Sequence, residues 1–218
     1  MGRNMSEDVE VKSIITLNKT KSAKPVSHKT SIKLAKLFSL LLMLVACFMM
    51  AKPSYIFTKS VVAQLMLNHA WLQSQQSGEK QLPWQWSDSY PVAKLTDAKS
   101  QQSWIVLSGM TGRAMAFAPS WLEDSAKPNE YGNTVISAHN DSHFSGLENT
   151  NIGDVFLLED KKGKILSYRV VTVDIVAEEN ASPYQFQDET MITLITCYPF
   201  EITNKHKSQR LVVQAIKV

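Results

Sequence analysis

Thr190-Met191-Ile192-Thr193-Leu194-Ile195-Thr196-Cys197-Tyr198-Pro199 is an uncharged run of β-branched and apolar residues that ends on a cysteine and is closed by a proline. That composition over that length predicts a buried strand. Pro199 has no N–H to give to a ladder, so regular pairing stops there. Cys197 then stands at the strand's exit, where a side chain meets a cleft. A lone thiol delivered by a rigid strand to a loop mouth is a candidate nucleophile; the bland alternative is a small buried hydrophobe.

Outward from this strand the texture is that of short strands and turns. From about residue 103, strands are expected at 104–107, 115–118, 134–138, 155–158, 165–176, 191–197 and 211–216. Turn signals separate them: Gly109 and Gly112, Gly132-Asn133, Gly153-Asp154, and Lys161-Lys162-Gly163-Lys164. Seven or eight strands at hairpin-like spacing predict an all-β barrel or sandwich over residues 101–218. There is no internal repeat, coiled coil or nucleotide-binding glycine motif.

The 218 residues allow one domain of ordinary size plus appendages. A hydrophobic fraction of 44% with 20% charged residues supports a packed core, and a net charge of +3 is too small to call for nucleic acid. The basic excess sits at the N-terminus. Residues 1–36 are a lysine-rich polar tail, which the positive-inside rule holds in the cytoplasm. The next fifteen residues, LFSLLLMLVACFMMA (37–51), carry no charge. A bilayer needs about 20 residues, but Lys52 can snorkel and Tyr55-Ile56-Phe57 extend the apolar surface. Residues 37–57 are therefore expected to be a transmembrane anchor. A signal peptide is one alternative. A lipobox at Leu44-Val45-Ala46-Cys47, with Cys47 lipidated, is another. Each reading places the chain beyond residue 52 outside the bacterial inner (cytoplasmic) membrane. The expected topology is single-pass, with the N-terminus cytoplasmic and the folded domain periplasmic or otherwise extracytoplasmic.

Residues 58–100 hold a helix and a connector. Val61, Leu65 and Leu72, with Val62, Met66 and Ala70, recur at helical spacing and predict an amphipathic helix over 55–75, ended by Gly78. The Trp- and Pro-rich QLPWQWSDSYPVAKL follows as a wrap around the domain's edge. In it Trp84 and Trp86 either line a groove or cover a core edge. Of the two cysteines, Cys47 lies in the apolar run and Cys197 in the distal domain, so no disulfide joins them. An unpaired exported thiol calls for an explanation, and catalysis supplies one.

A thiol needs a base or a positive field to become a useful thiolate. His139 ends the strand 134–138 as Cys197 ends its own, so two strands of one barrel would bring both to one rim. His206, in the polar loop after Cys197, is the second choice; His69 lies on the helix. Arg210 follows Cys197 by 13 residues at the start of the last strand. A hairpin would return it beside the cysteine, where a guanidinium stabilises an oxyanion or holds a carbonyl; a surface salt bridge is the alternative. His139, Asp141 and His143 stand at alternate positions, as metal ligands do, but no further Cys, His or Glu cluster closes such a site. Neither metal nor cofactor is expected, and Asp141 reads more simply as a residue that fixes the loop.

TLITCYPF followed downstream by RLVV resembles the active-site strand of sortases, which show Thr-Leu-x-Thr-Cys and then Arg-Leu. Gly132 to His139, GNTVISAH, resembles the matching histidine strand, and the order histidine, cysteine, arginine is also the family's. Within sortases the proteobacterial, marine type is similar. Its anchor-proximal helix, Pro-Val-Ala-Lys/Arg-Leu segment (here Pro91 to Leu95) and Asp-x-His-Phe segment (here Asp141 to Phe144) occur together. The resemblance covers roughly residues 55–218. It implies an eight-stranded β-barrel cysteine transpeptidase with His139, Cys197 and Arg210 as its catalytic residues. It also implies a membrane-anchored substrate protein bearing a C-terminal, Leu-Pro-x-Thr-Gly-like sorting signal, an amine acceptor and the lipid bilayer as partners. The chain departs from many members at Ala138 and Asn140, where Gly and Arg are common. Its loop between Cys197 and Arg210, with Lys205, His206 and Lys207, is long. A cysteine peptidase using water as acceptor, and a tethered binding module built on Trp84 and Trp86, are the alternatives in function.

Overall fold

A computed structural model describes residues 28–181, 189–201 and 208–218. The chain divides into two compact units, Met1–Ser54 and Tyr55–Val218. The helix α1, His28–Ser77, crosses that boundary just past its internal Pro53. In the first unit α1 exposes Leu37, Phe38, Leu40 to Leu44, Phe48 and Met49. This stretch is long and apolar enough to cross a membrane, and its most apolar window buries nothing inside the protein. The helix starts at His28, so residues 28–36 form its first turns rather than an irregular tail; the rest of the basic tail lies outside the described residues.

The second unit is a closed barrel of eight strands. These are β1 Pro91–Asp97, β2 Ser103–Ser108, β3 Ser120–Trp121, β4 Asn133–Ser137, β5 Val155–Asp160, β6 Ile165–Ala177, β7 Met191–Tyr198 and β8 Gln209–Lys217. Around the barrel they run β1-β2-β3-β4-β7-β8-β6-β5, and β5 closes on β1. The opening stretch is β7, which pairs in parallel with β4 on one edge and antiparallel with β8 on the other. Residues Met191 to Thr196 are all buried. A strand paired on both edges and covered on both faces reads as a continuous apolar run, not an alternating one. The barrel interior is filled from every side, by Leu95, Val106, Ile136, Phe156, Tyr168, Ile192, Leu194 and Val213 among others.

Three expectations are corrected here. Residues 115–118 are not a strand: α2, Gly112–Met115, begins this crossover, with the Thr111 hydroxyl accepting from the Ala114 N–H at 3.1 Å as its cap. A four-residue apolar run carries no period, and the capping threonine decided it. A strand does form within the stretch read as a connector, for Pro91–Asp97 is β1 and pairs with both β2 and β5. The third correction is the helix face. Ala63, Leu67, Ala70, Trp71 and Ser74 are the buried stripe of α1, whereas Val61, Val62, Leu65, Met66 and Leu72 are exposed. Two stripes at helical spacing share this helix, and the buried one packs Leu67 against Leu107, Ala114 and Ala118. Gln75 Nε2 reaches Glu159 Oε1 on β5 at 2.6 Å, and Gln64 Nε2 reaches the Phe117 carbonyl at 2.8 Å. The helix ends at Ser77, with Gly78 at φ 72° donating to the Ser74 carbonyl. Only glycine takes that conformation without strain.

The loop between β3 and β4 is pinned by Asn129. Its amide donates to the Leu158 and Lys164 carbonyls at 3.0 and 2.8 Å, and its oxygen accepts from the Tyr168 hydroxyl at 3.0 Å. Burial, with the Asp160 carboxylate nearby, pushes that phenol up to about 12, so it stays a donor.

Candidate active site

β7 carries Cys197 to the edge of the barrel, next to its last residue, where it is partly exposed. The strand stops at Tyr198 because Pro199 follows. Two neighbouring strands bring chemistry to the same level. On one side, β4 runs parallel to β7 with Ser137 opposite Ile195. The Ala138 N–H extends the ladder to the Ile195 carbonyl at 3.2 Å. Carried two residues further, this register sets the exposed His139 level with Cys197, and adjacent strands lie about 4.8 Å apart. On the other side, β8 runs antiparallel and Arg210 stands directly opposite Cys197. Directly opposed residues of an antiparallel pair share a face. The rim therefore reads histidine, cysteine, arginine, from just past the end of β4 across β7 to β8.

The seam between β4 and β7 is fastened by side chains where the ladder ends. The Ser137 hydroxyl donates to the Ile195 carbonyl at 3.1 Å. The buried Thr196 hydroxyl donates to the Ala138 carbonyl at 2.8 Å. Asn140, only 5% exposed, donates from Nδ2 to the Pro199 carbonyl at 3.0 Å. This last bond ties the residue after His139 to the turn after Cys197.

Arg210 is held from the β6 side. One guanidinium nitrogen donates to the Gln209 carbonyl at 3.0 Å and another to the carboxylate of Glu178. Glu178 opens a short 3-10 turn, Glu178–Asn180, and its own N–H donates to the Ser208 carbonyl at 2.9 Å. The Arg210 side chain is 19% exposed and that of Glu178 65%, so the pair sits at the rim with the carboxylate outermost.

The segment after His139 folds back on it. The Phe144 N–H donates to the His139 carbonyl at 3.0 Å. Phe144 is fully buried and meets Trp104 edge-on at 6.0 Å between ring centres. This anchor leaves His143 half-buried. Burial first, then the neighbouring His139, holds its imidazole below the usual histidine range, against a smaller opposing pull from Asp141. Among the described residues no three His, Cys, Asp or Glu side chains gather as a metal would require. His206, the second choice of base, lies outside the described residues.

Sequence reasoning missed Asn140 and Glu178 as parts of the site. Asn140 had a signal, since it is where the chain departs from the common arginine, but nothing local showed which way its amide turns. Glu178 had none, because it meets Arg210 only through the β6–β8 ladder, in which Val176 stands opposite Arg210.

A family model described as a sortase domain matches residues 98–218. Among solved structures the chain is similar to sortase A from Corynebacterium diphtheriae, with a TM-score of 0.54 and 24% identity over 62% of this chain and 64% of that one. It is also similar to sortase C-1 from Actinomyces oris, with a TM-score of 0.52 and 25% identity over 59% and 74%. Sortase C-1 from Streptococcus pneumoniae gives 0.52 and 21% over 59% and 67%. The chain thus spans a little under two thirds of the Corynebacterium protein, and the likeness to it is one of fold. No curated protein matches.

Proposed function

Because the chain belongs to the sortase family, we propose that it is a membrane-anchored cysteine transpeptidase. Its substrate is a protein bearing a C-terminal, Leu-Pro-x-Thr-Gly-like sorting signal, which it transfers to an amine acceptor. The observation that carries this reading is the rim itself, where Cys197 on β7 stands opposite Arg210 on β8 and His139 follows the end of β4 by two residues on the other side.

The steps follow from what each group can do. Cys197 attacks the scissile carbonyl as thiolate, and an S–C bond forms while the carbonyl electrons move to oxygen. Arg210 stabilises that oxyanion or holds the peptide carbonyl beside it. As the tetrahedral species collapses, the C–N bond breaks and His139 gives its proton to the departing amine. A thioacyl-enzyme remains. An incoming amine then attacks the thioester and passes its proton to His139, and Cys197 leaves as thiolate, so the enzyme regains its starting protonation. No cofactor enters these steps. The N-terminal helix, placed in the bacterial inner membrane with the barrel outside the cytoplasm, keeps the site beside a substrate that is itself held in the bilayer.

The test is to trap the intermediate. The full chain, reconstituted in detergent, is incubated with Leu-Pro-x-Thr-Gly-like peptides and its intact mass is read. A peptide adduct on Cys197, released by hydroxylamine or by a glycine amine, is the expected result, and Cys197→Ala gives none. Release to water only, with added amine left unused, would make the protein a cysteine peptidase. A folded Cys197→Ala variant that still cleaves would end the proposal.

A further inference from the structure

The exposed stripe of α1 borders a groove of about 500 Å3. Val62, Met66, Trp84, Trp86 and Phe117 give it an apolar lining, and Lys59 and Arg113 give it two cations. Its walls are built: Trp84 and Phe117 meet edge-on at 4.9 Å between ring centres, and Gln64 ties α1 to the Phe117 carbonyl. The nearest counter-charge to Arg113 is Asp88 at 4.0 Å, with both side chains more than half exposed. Trp86 is 77% exposed, while Trp71 and Trp121 are buried and Trp84 and Trp104 partly so.

What covers it is indicated by where it lies along the chain. The anchor expected from the sequence ends at Phe57, and Lys59 follows two residues later. At about 1.5 Å per residue, Lys59 and Val62 stand within about 8 Å of Phe57 along α1, the thickness of one headgroup layer. The groove's chemistry is that of the same layer. Tryptophan, with an apolar body and one N–H, concentrates at headgroup level, and lysine and arginine there meet phosphates.

We infer that this groove seats on the bilayer, with Trp86 inserted among the headgroups and Lys59 and Arg113 meeting the phosphates of anionic phospholipid. The inference rests on the anchoring read above. Its consequence is that the barrel does not swing freely about its anchor but is held against the membrane by a second, noncovalent contact.

The full chain in nanodiscs tests it, with acyl chains brominated near the headgroup as quenchers of tryptophan emission. One set of discs is phosphatidylcholine alone and the other includes phosphatidylglycerol. The expected result is quenching that is stronger in the anionic discs and is mostly lost in Trp86→Phe. Each basic residue near an anionic surface biases docking by about fivefold, so Lys59→Glu with Arg113→Glu brings quenching in anionic discs down to the phosphatidylcholine level or below it. The circular dichroism of these variants should match the parent. Quenching unchanged in Trp86→Phe overturns the docking, as does emission that ignores the bromines while depending on protein concentration, which would make the occupant a second copy. A chain that fails to co-migrate with the discs would instead refute the anchor. Cleavage of a sorting-signal peptide, read on the same samples, reports separately on the transpeptidase reading.

Discussion

Arg210 shares its guanidinium between the Gln209 carbonyl on its own strand and Glu178 at the end of β6. Two acceptors set the plane of the fork, a planar geometry that a lysine in the same place could not provide. Glu178→Gln should therefore lower kcat/KM for a sorting-signal peptide by about tenfold, within the range that misplacing a catalytic group produces. Its effect on stability should stay within about 1 kcal/mol, as for most rim ion pairs; a thermal melt read beside the kinetics separates the two. His143 gives a pH dependence whose sign is fixed. Burial holds its folded imidazole below the ordinary value, which is near 6.5 in an unfolded chain. Below that pH the unfolded chain takes up a proton that the folded chain resists. Stability therefore falls as pH drops through about 6.5 and levels off below the folded value. Melting temperatures from about pH 7 to about pH 5 should decline, and His143→Gln should flatten the slope.

Among the elements, β4, β7 and β8 set the site, and the β4–β7 seam is its weakest join because the parallel ladder has run out there. Asn140 spans it to the Pro199 carbonyl. Asn140→Ala leaves that join to the Ser137 and Thr196 hydroxyls and should cost about 1–3 kcal/mol by urea unfolding, with a fall in kcat larger than any rise in KM. The helix α1 makes a sharper contrast between its two stripes. Leu67 is fully buried against Leu107, Ala114 and Ala118, and Leu67→Ala should cost about 2–5 kcal/mol. Leu65, two residues away and so on the opposite side of the helix, is 64% exposed and should tolerate Ser within about 0.5 kcal/mol. Equal losses at the two positions would mean that the stripes are assigned the wrong way round.

For the whole molecule, the proposed anchoring by the long N-terminal helix predicts an effect on the kinetics of encounter rather than on the chemistry. Two partners held in one bilayer meet at an effective concentration that a short tether sets near the millimolar range. A substrate anchored in the same nanodisc should therefore be cleaved at least about tenfold faster than the same substrate and enzyme in separate detergent micelles. Time courses at matched bulk concentration measure this directly, and equal rates would remove any kinetic role for the anchor.

The sequence by itself determined the parts whose cause is local. Seven residues without a charge before Cys197 wrote a buried strand, a proline wrote its end, and an uncharged run flanked by lysine wrote a helix fit for a membrane. The two strand-ending residues His139 and Cys197, and an arginine at the head of the last strand, were legible as a candidate rim because strand ends are where a barrel offers side chains to a cleft. Only the tertiary structure decided which strands are neighbours. It set β4 parallel to β7 through hydrogen bonds between residues nearly sixty apart, turned the Asn140 amide onto Pro199, and brought Glu178 to Arg210. It also chose between the two stripes of α1, burying the one whose Leu67 meets Leu107, Ala114 and Ala118. Each of these outcomes depends on contacts distant in sequence, and no window of residues contains both partners of such a contact.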